Sequence, residues 1–182
     1  MRITGGTWGR RPIQAPPGRG TRPTTDRVRE ALFSLLEARG AVAGARVLDL
    51  FAGSGALGLE ALSRGAAHAT FVERHGATLA VARRNASALA AEGTAFVRAD
   101  VRTFLGRPHD PVELVLADPP YDLPWLPELP ALTRPHLAPG GVLVLEHDAR
   151  HDFGAEPGFE QARTYGGTVV SIFEAPAARS LP

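Results

Sequence analysis

The sequence predicts an α/β domain with a mostly parallel, seven-stranded sheet, a C-terminal antiparallel hairpin and helices on both faces. The first observation is an alternation of strand-like apolar runs with helix-like patterns that continues to Glu146. The second is the stretch from 46 to 65, in which a buried strand, a glycine turn and a helix follow one another directly. The third is a pair of strand-like segments, 159–165 and 168–173, joined by two glycines.

Length and composition indicate one globular domain and exclude several chemistries. The chain has 182 residues, 44% of them hydrophobic and 21% charged, which suffices for a packed core. It contains no cysteine, which excludes disulfides, thiolate metal sites and the nucleophile of pyrimidine-C5 methyltransferases. No pair of histidines has metal-ligand spacing, so we expect no metal. The N terminus lacks the apolar region of a signal peptide and no apolar run reaches membrane length, so we expect a cytoplasmic protein.

Positive charge is concentrated near the N terminus. Residues 1–30 hold seven Arg against two acids, an excess of five positive charges, and the rest of the chain is net acidic. A basic arm on a near-neutral body favours a phosphate-rich partner. We therefore divide the chain into a basic extension over 1–23, a main domain over 24–175 and a tail over 176–182 that we expect to be disordered.

The basic extension is rich in Gly, Pro and Arg, and we expect no core element in it. Short strands near Ile3 and Ile13 would allow a hairpin laid over the domain. Arg10 and Arg11 follow a tryptophan closely, an arrangement that suits phosphate pairing and base stacking. A solvated leader fits the same composition equally well.

A helix is predicted over 26–38, with one of the residues Thr24 to Asp26 as its cap. Apolar residues recur at three- and four-residue spacing and give this helix one apolar face. Arg22, Arg27 and Arg29 would line the entrance to a site, although a solvated charged surface explains them as well.

The glycine turn predicts a nucleotide-like ligand. Gly53 and Gly55 let the backbone turn tightly and let a ligand approach, and the next helix offers unpaired N–H groups. Glu73 ends the second strand, where an acid can accept hydrogen bonds from ribose hydroxyls. Asp49 is the one charge in the first strand and needs a partner. With Gly58 the turn also spells the dinucleotide fingerprint G-x-G-x-x-G, so a nicotinamide enzyme is an alternative, as is a turn that binds nothing.

The other elements of the domain follow from composition and periodicity. They are helices over 77–91, 101–105 and 125–137, strands over 94–97, 114–117 and 142–145, and a turn at 139–141. Asp100 lies just after the third strand. It can accept a hydrogen bond from an adenine amine or cap the next helix, and these roles are compatible.

The fourth strand opens directly into Asp118-Pro119-Pro120-Tyr121, at the end of the sheet where ligands are handled. The prolines restrict the backbone, so the carboxylate of Asp118 is held in one geometry, and Tyr121 can cover a flat heterocycle. A carboxylate and an aromatic ring in this arrangement suit the binding of an exocyclic amine of a base. When acceptors take hydrogen bonds from the N–H groups of that amine, its lone pair leaves conjugation with the ring and can react. The matching electrophile is the methyl group of S-adenosylmethionine. A simple turn with a core aromatic is the alternative.

Three motifs resemble the class I S-adenosylmethionine-dependent methyltransferases, and most closely the RsmD family of 16S ribosomal RNA guanine-N2 methyltransferases. They are the segments 22–30, 49–60 and 118–121, of which the first is the most family-specific. The resemblance extends from about Arg2 to Phe173. It implies a Rossmann-like fold, a monomer, and methyl transfer to a guanine of 16S ribosomal RNA within the small subunit or an assembly intermediate.

The resemblance also implies roles for individual residues. Asp49, Gly53 and Gly55 would border the methionine part of the cofactor, Glu73 its ribose and Asp100 its adenine amine. Further cofactor contacts are implied for Ala52, Ser54, Arg74 and Val101. The guanine amine would be positioned by Asp118, Pro119, Pro120 and Tyr121. Contacts with RNA are implied for Arg10, Arg11, Arg22, Thr25, Arg27 and Arg29.

Three other functions compete with this one. A DNA adenine-N6 or cytosine-N4 methyltransferase uses the same chemistry, but the chain has no room for a separate target-recognition domain. A nicotinamide dehydrogenase would leave the residues 118–121 without a task. A non-catalytic RNA-binding or ribosome assembly factor would keep the fold without the reaction.

Overall fold

The computed structural model describes residues 1–15 and 26–178, and its centre is a seven-stranded sheet. The strands are β1 Arg46–Leu50, β2 His68–Glu73, β3 Thr94–Arg98, β4 Val112–Ala117, β5 Leu137–His147, β6 Phe159–Tyr165 and β7 Thr168–Glu174. The helices are α1 Asp26–Ala38, α2 Ala56–Ser63, α3 Gly76–Leu89, α4 Val101–Leu105 and α5 Leu129–Thr133. Across the sheet the order is β3-β2-β1-β4-β5-β7-β6, with only the last two pairings antiparallel. The predicted fold class is confirmed.

The order in which the chain adds strands to the sheet reverses beside β1. The chain runs outward from β1 to β2 and β3, and then returns to β4 on the other side of β1. Leu50 at the end of β1 consequently pairs with Val72 on one side and with Ala117 on the other. A crevice opens at such a point in α/β sheets, here between the carboxyl ends of β1 and β4.

Side chains of the strands alternate between two cores, one on each face of the sheet. Val47 belongs to the core beneath α1, α2 and α3, and Leu48 to the core beneath α4 and α5. Asp49 takes the position on the first face that the alternation would give to an apolar residue. A carboxylate is thereby fixed on the inner side of α2.

The first fifteen residues, here called the N-terminal segment, are part of the core, contrary to expectation. Ile3 and Ile13 are buried in the core beneath the first three helices, and Trp8 packs against it. The predicted hairpin is reduced to a single antiparallel bridge between Arg2 and Pro12. Apolar residues are few in this segment, so its composition did not indicate that Ile3 and Ile13 anchor it.

Two further elements differ from expectation. The helix predicted over 125–137 is divided into α5 and two short 3₁₀ turns, because Pro127, Pro130 and Pro135 interrupt its hydrogen bonding. The turn predicted at 139–141 lies inside β5, where the pairing with β4 shifts register. In the described residues, none of the helices is long and apolar enough to cross a membrane. The last four residues of the predicted tail, 179–182, lie outside the described residues.

Candidate active site

Residues 51–55, the glycine turn, connect β1 to α2 through a series of left-handed backbone conformations. Phe51, Gly53 and Gly55 all have positive φ, and Gly55 directly precedes the helix. A Cβ atom at Gly55 would also press on Phe71 and Ala82 at 3.3 and 3.2 Å. Glycine is therefore favoured at Gly55 mainly by its conformation, and the surrounding space is tight for any side chain.

Asp49 is a buried acid that holds the start of α2. Its Oδ2 accepts a hydrogen bond from the backbone N–H of Gly58 at 2.9 Å, and its side chain is 1% exposed. Burial raises the pKa of Asp49 to about 7, against the opposing effect of the Gly58 hydrogen bond. The charges of Asp118 and Glu73 raise this pKa further. Three carboxylates therefore share one electrostatic environment at this end of the sheet.

Glu73 connects the end of β2 to the glycine turn. Its two carboxylate oxygens accept hydrogen bonds from the backbone N–H of Gly53 at 3.2 Å and from that of His75 at 2.9 Å. The side chain is buried. Its neighbour Arg74 is exposed and donates a hydrogen bond from Nε to the ring of His75. The acid therefore lies against the turn, and its contact with ribose hydroxyls stays a prediction.

Asp100 has the capping role that was one of its two expected roles. The exposed side chain accepts a hydrogen bond from the N–H of Thr103 at 3.2 Å and so caps α4. Val101, the first residue of that helix, is buried. The contact of Asp100 with an adenine amine stays a prediction.

Asp118 begins the segment 118–121, here called the DPPY motif, directly after β4. The residue is exposed at the carboxyl end of β4, and its charge raises the pKa of Asp49. Pro119 is buried and so anchors the motif. A group that enters the crevice would therefore meet an acidic residue at the end of β4.

Tyr121 is held by two hydrogen bonds, one made by its side chain and one by its backbone. Its half-buried ring makes a hydrogen bond of 3.0 Å between Oη and Oγ1 of Thr168 in β7. Its carbonyl oxygen accepts a hydrogen bond from the guanidinium of Arg150 at 3.1 Å. The motif is thereby fastened to the C-terminal hairpin, a connection that the sequence did not indicate.

The residues expected to contact RNA occupy different environments. Arg10, Arg11 and Arg27 are exposed, and Arg11 donates a hydrogen bond to the carbonyl oxygen of Ala88 in α3. Arg22 and Thr25 lie outside the described residues. Arg29 is only 2% exposed, and its placement does not agree with the surface position that we expected. The reason is an ion pair between its Nε and Glu60 at 3.1 Å.

Glu60 in α2 is a buried anchor that the sequence reasoning missed. Its carboxylate accepts hydrogen bonds from the N–H and hydroxyl of Thr4, from the N–H of Gly5, and from Arg29 and Arg64. Burial alone would raise the pKa of Glu60, but the hydrogen bonds from Thr4 and Arg64 and the charge of Arg29 outweigh it and lower the pKa. The N-terminal segment is therefore held by an ionised, fully paired acid.

A cavity of about 760 Å³ lies elsewhere on the sheet and is not the candidate site. It runs over Leu48, Thr70 and Val97, and of the expected site residues that the structure describes, only Asp100 lines it. Neither the glycine turn nor the DPPY motif contributes to its walls. The described residues contain no group of three or more His, Asp or Glu side chains placed to hold a metal ion.

Comparison with known proteins places the chain among methyltransferases. A family model described as Conserved hypothetical protein 95 matches residues 1–174. Ribosomal RNA small subunit methyltransferase D of Escherichia coli (strain K12) is 45% identical over 121 residues, which span 66% of this chain but only 60% of that protein. The protein YlbH of Bacillus subtilis (strain 168) is 35% identical over 183 residues, 96% of this chain and 98% of its own length.

The fold agrees with this comparison. The solved structure of the protein yhhF from Escherichia coli superposes with a TM-score of 0.85 at 35% identity, and the match covers 98% of this chain and 99% of that one. The family model spans nearly the whole chain, including the N-terminal segment, the glycine turn and the DPPY motif. The chain therefore belongs to the RsmD family of methyltransferases, the family described as Conserved hypothetical protein 95.

Proposed function

We propose that this protein transfers a methyl group from S-adenosylmethionine to the N2 amine of a guanine in 16S ribosomal RNA, on the small subunit or an assembly intermediate. The observation that carries the proposal is the exposed carboxylate of Asp118, at the end of the strand beside the glycine turn. The Escherichia coli relative, named a ribosomal RNA small subunit methyltransferase, supports the RNA substrate.

The described residues fit the proposed cofactor. The glycine turn offers backbone without Cβ atoms at Gly53 and Gly55, and Glu73 already accepts hydrogen bonds beside it. Asp49 and the two acids that act on it, Asp118 and Glu73, favour a positively charged ligand, because a cation attracts negative charge. In this proposal Glu73 holds the ribose hydroxyls, Asp100 the adenine amine, and Asp49 lies near the methionine part. Ala52, Ser54, Arg74 and Val101 complete the surroundings.

Asp118 and the prolines after it would activate the nucleophile by orientation. The guanine N2 lone pair is delocalised into the ring, so it reacts poorly until its N–H groups are held by acceptors. S-adenosylmethionine supplies an electrophilic methyl group on a sulfonium centre. The nitrogen bonds to the methyl carbon as the carbon–sulfur bond breaks, the electron pair leaves with sulfur, and the extra proton passes to solvent. Tyr121 would cover the base.

The test is transfer of labelled methyl to unmodified small subunits, followed by nucleoside analysis. We expect N2-methylguanosine in 16S ribosomal RNA, and a loss of about 100-fold or more in kcat for Asp118→Ala, with binding of S-adenosylhomocysteine changed only a few-fold. Asp122→Ala removes an exposed acid four residues further on and should retain activity.

Other outcomes would contradict the proposal. Methylation of duplex DNA instead of subunits would favour an amino-methyltransferase acting on DNA. Full transfer by Asp118→Ala would remove the role of this carboxylate. Binding to subunits without any methyl transfer would favour an assembly factor.

A further inference from the structure

Asn85 in α3 links two parts of the molecule that are far apart in the sequence. Its side chain is 3% exposed. Its Oδ1 accepts a hydrogen bond from the N–H of Gln14 at 2.8 Å, and its Nδ2 donates to the carbonyl oxygen of Gln14 at 3.0 Å. The same Nδ2 donates to the carbonyl oxygen of Ser54 at 2.9 Å. One buried amide therefore holds both the N-terminal segment and the glycine turn.

The second end of this link lies inside the proposed cofactor site. Ser54 is located between Gly53 and Gly55, and the N–H of Gly53 is held by Glu73. Ser54 is itself buried, and its hydroxyl faces the sulfur of Met1 at 3.9 Å. The turn is consequently in contact with both ends of the N-terminal segment, through Met1 directly and through Asn85 to Gln14.

We propose that Asn85 is a positioning residue through which cofactor binding at the glycine turn and RNA binding at the N-terminal segment strengthen each other. The inference rests on the proposed function. The side-chain amide of Asn85 can bind both Ser54 and Gln14 in only one orientation. Its Nδ2 donates to both carbonyl oxygens, and its Oδ1 accepts from the N–H of Gln14. A ligand that fixes one side therefore favours the docked position of the other. Linkage requires the effect to be equal in both directions.

A second tether of the same segment offers a matched comparison. Ser63 at the end of α2 is also buried; its hydroxyl accepts a hydrogen bond from the N–H of Trp8 at 2.9 Å and donates one to the carbonyl oxygen of Gly5 at 2.6 Å. Neither of these bonds involves the glycine turn. Ser63→Ala and Asn85→Ala thus both loosen the N-terminal segment, and only the second separates it from the turn.

The experiment is equilibrium dialysis of labelled S-adenosylhomocysteine against the full chain, with and without saturating unmodified small subunits. For the unaltered protein we expect the Kd of the cofactor product to fall at least about fivefold when subunits are present. Asn85→Ala should bring this ratio close to one. Ser63→Ala should weaken binding of subunits while keeping most of the ratio.

Thermal unfolding shows whether each variant folds, and Asn85→Ser serves as a milder replacement if Asn85→Ala does not. A ratio near one for the unaltered protein would overturn the inference, as would an unchanged ratio in the folded Asn85 variant. Equal loss of the ratio in Ser63→Ala would reduce Asn85 to a structural tether. Guanine methylation without coupling would leave the proposed function intact, whereas coupling without methylation would refute that function alone.

Discussion

Single residues set the electrostatics of the crevice, and the pKa of Asp49 is strongly raised there. Burial holds its pKa near 7, with Asp118 and Glu73 adding to the effect, while the Gly58 N–H opposes it. In the unfolded chain an aspartate titrates near pH 4. The folded protein therefore retains a proton on Asp49 over a range in which the unfolded chain has lost it. Stability from this group is fully present below about pH 4 and is lost as the pH rises to about 7.

Replacement of this acid tests the sign of the effect. We expect Asp49→Asn to raise Tm at pH 8 by about 2 to 6 °C, because the amide carries no charge to bury and keeps an acceptor for the Gly58 N–H. The difference from the unaltered protein should vanish near pH 4, as measured by thermal unfolding from pH 4 to 8. Equal differences at all pH values would contradict this account. Affinity for S-adenosylmethionine should fall in the variant.

At the scale of elements, the contact of α2 with β2 determines where Asp49 can lie. A Cβ atom at Gly58 would be inside van der Waals contact with the ring of Phe71 and 3.0 Å from Oδ2 of Asp49. Phe71 is fully buried and stacks on Phe96 with ring centroids 4.9 Å apart, so it has little room to move. The helix can approach the sheet only because this position lacks a side chain.

We expect Gly58→Ala to lower the free energy of unfolding by about 1 to 3 kcal/mol, since overpacking outweighs the better helix propensity of alanine. Urea unfolding measures the change. Gly106→Ala is a suitable control, because a Cβ atom there would meet only two backbone oxygens at 3.5 Å. A stable Gly58→Ala variant with normal cofactor affinity would show that the helix can shift freely.

Elements set by local pattern were predictable, and those set by distant contacts were not. The predicted helix 26–38 matches α1, because its apolar spacing is a local signal. The surface position predicted for Arg29 was wrong because its partner, Glu60, is distant in sequence. The spacing of three, four and seven residues from Arg29 to Leu32, Phe33 and Leu36 was nevertheless a signal of the buried face.

The candidate site was predictable to a similar extent. The glycine turn, Glu73 and the DPPY motif meet at one edge because carboxyl ends of parallel strands do so. The role of Asn85 was not predictable, since nothing in its local sequence shows that α3 faces both Ser54 and Gln14.

At the scale of the whole molecule, charge is distributed unevenly. The exposed Arg10 and Arg11 extend from a segment that is fixed to α2 and α3, so their positions relative to the crevice are defined. A fixed pair of exposed cations can guide the phosphates of a substrate strand.

Paired replacement of these two arginines tests this role. We expect Arg10→Ala with Arg11→Ala to weaken binding to unmodified small subunits and to reduce the slope of log K against log salt by about 1.4, the value for two phosphate contacts on a single strand. Filter binding over a series of salt concentrations gives the slope. Arg163→Ala removes an exposed arginine on the edge strand β6 and should leave it unchanged.

The docking of the N-terminal segment also has a consequence for how the fold is completed. Residues 4 and 5 depend on Glu60 in α2, and Gln14 depends on Asn85 in α3, so these contacts join positions that are 55 to 71 residues apart. They can form only when α2 and α3 lie in their final places, because no local element supplies them. Ile3 and Ile13 are therefore buried by the tertiary structure and not by a neighbouring turn.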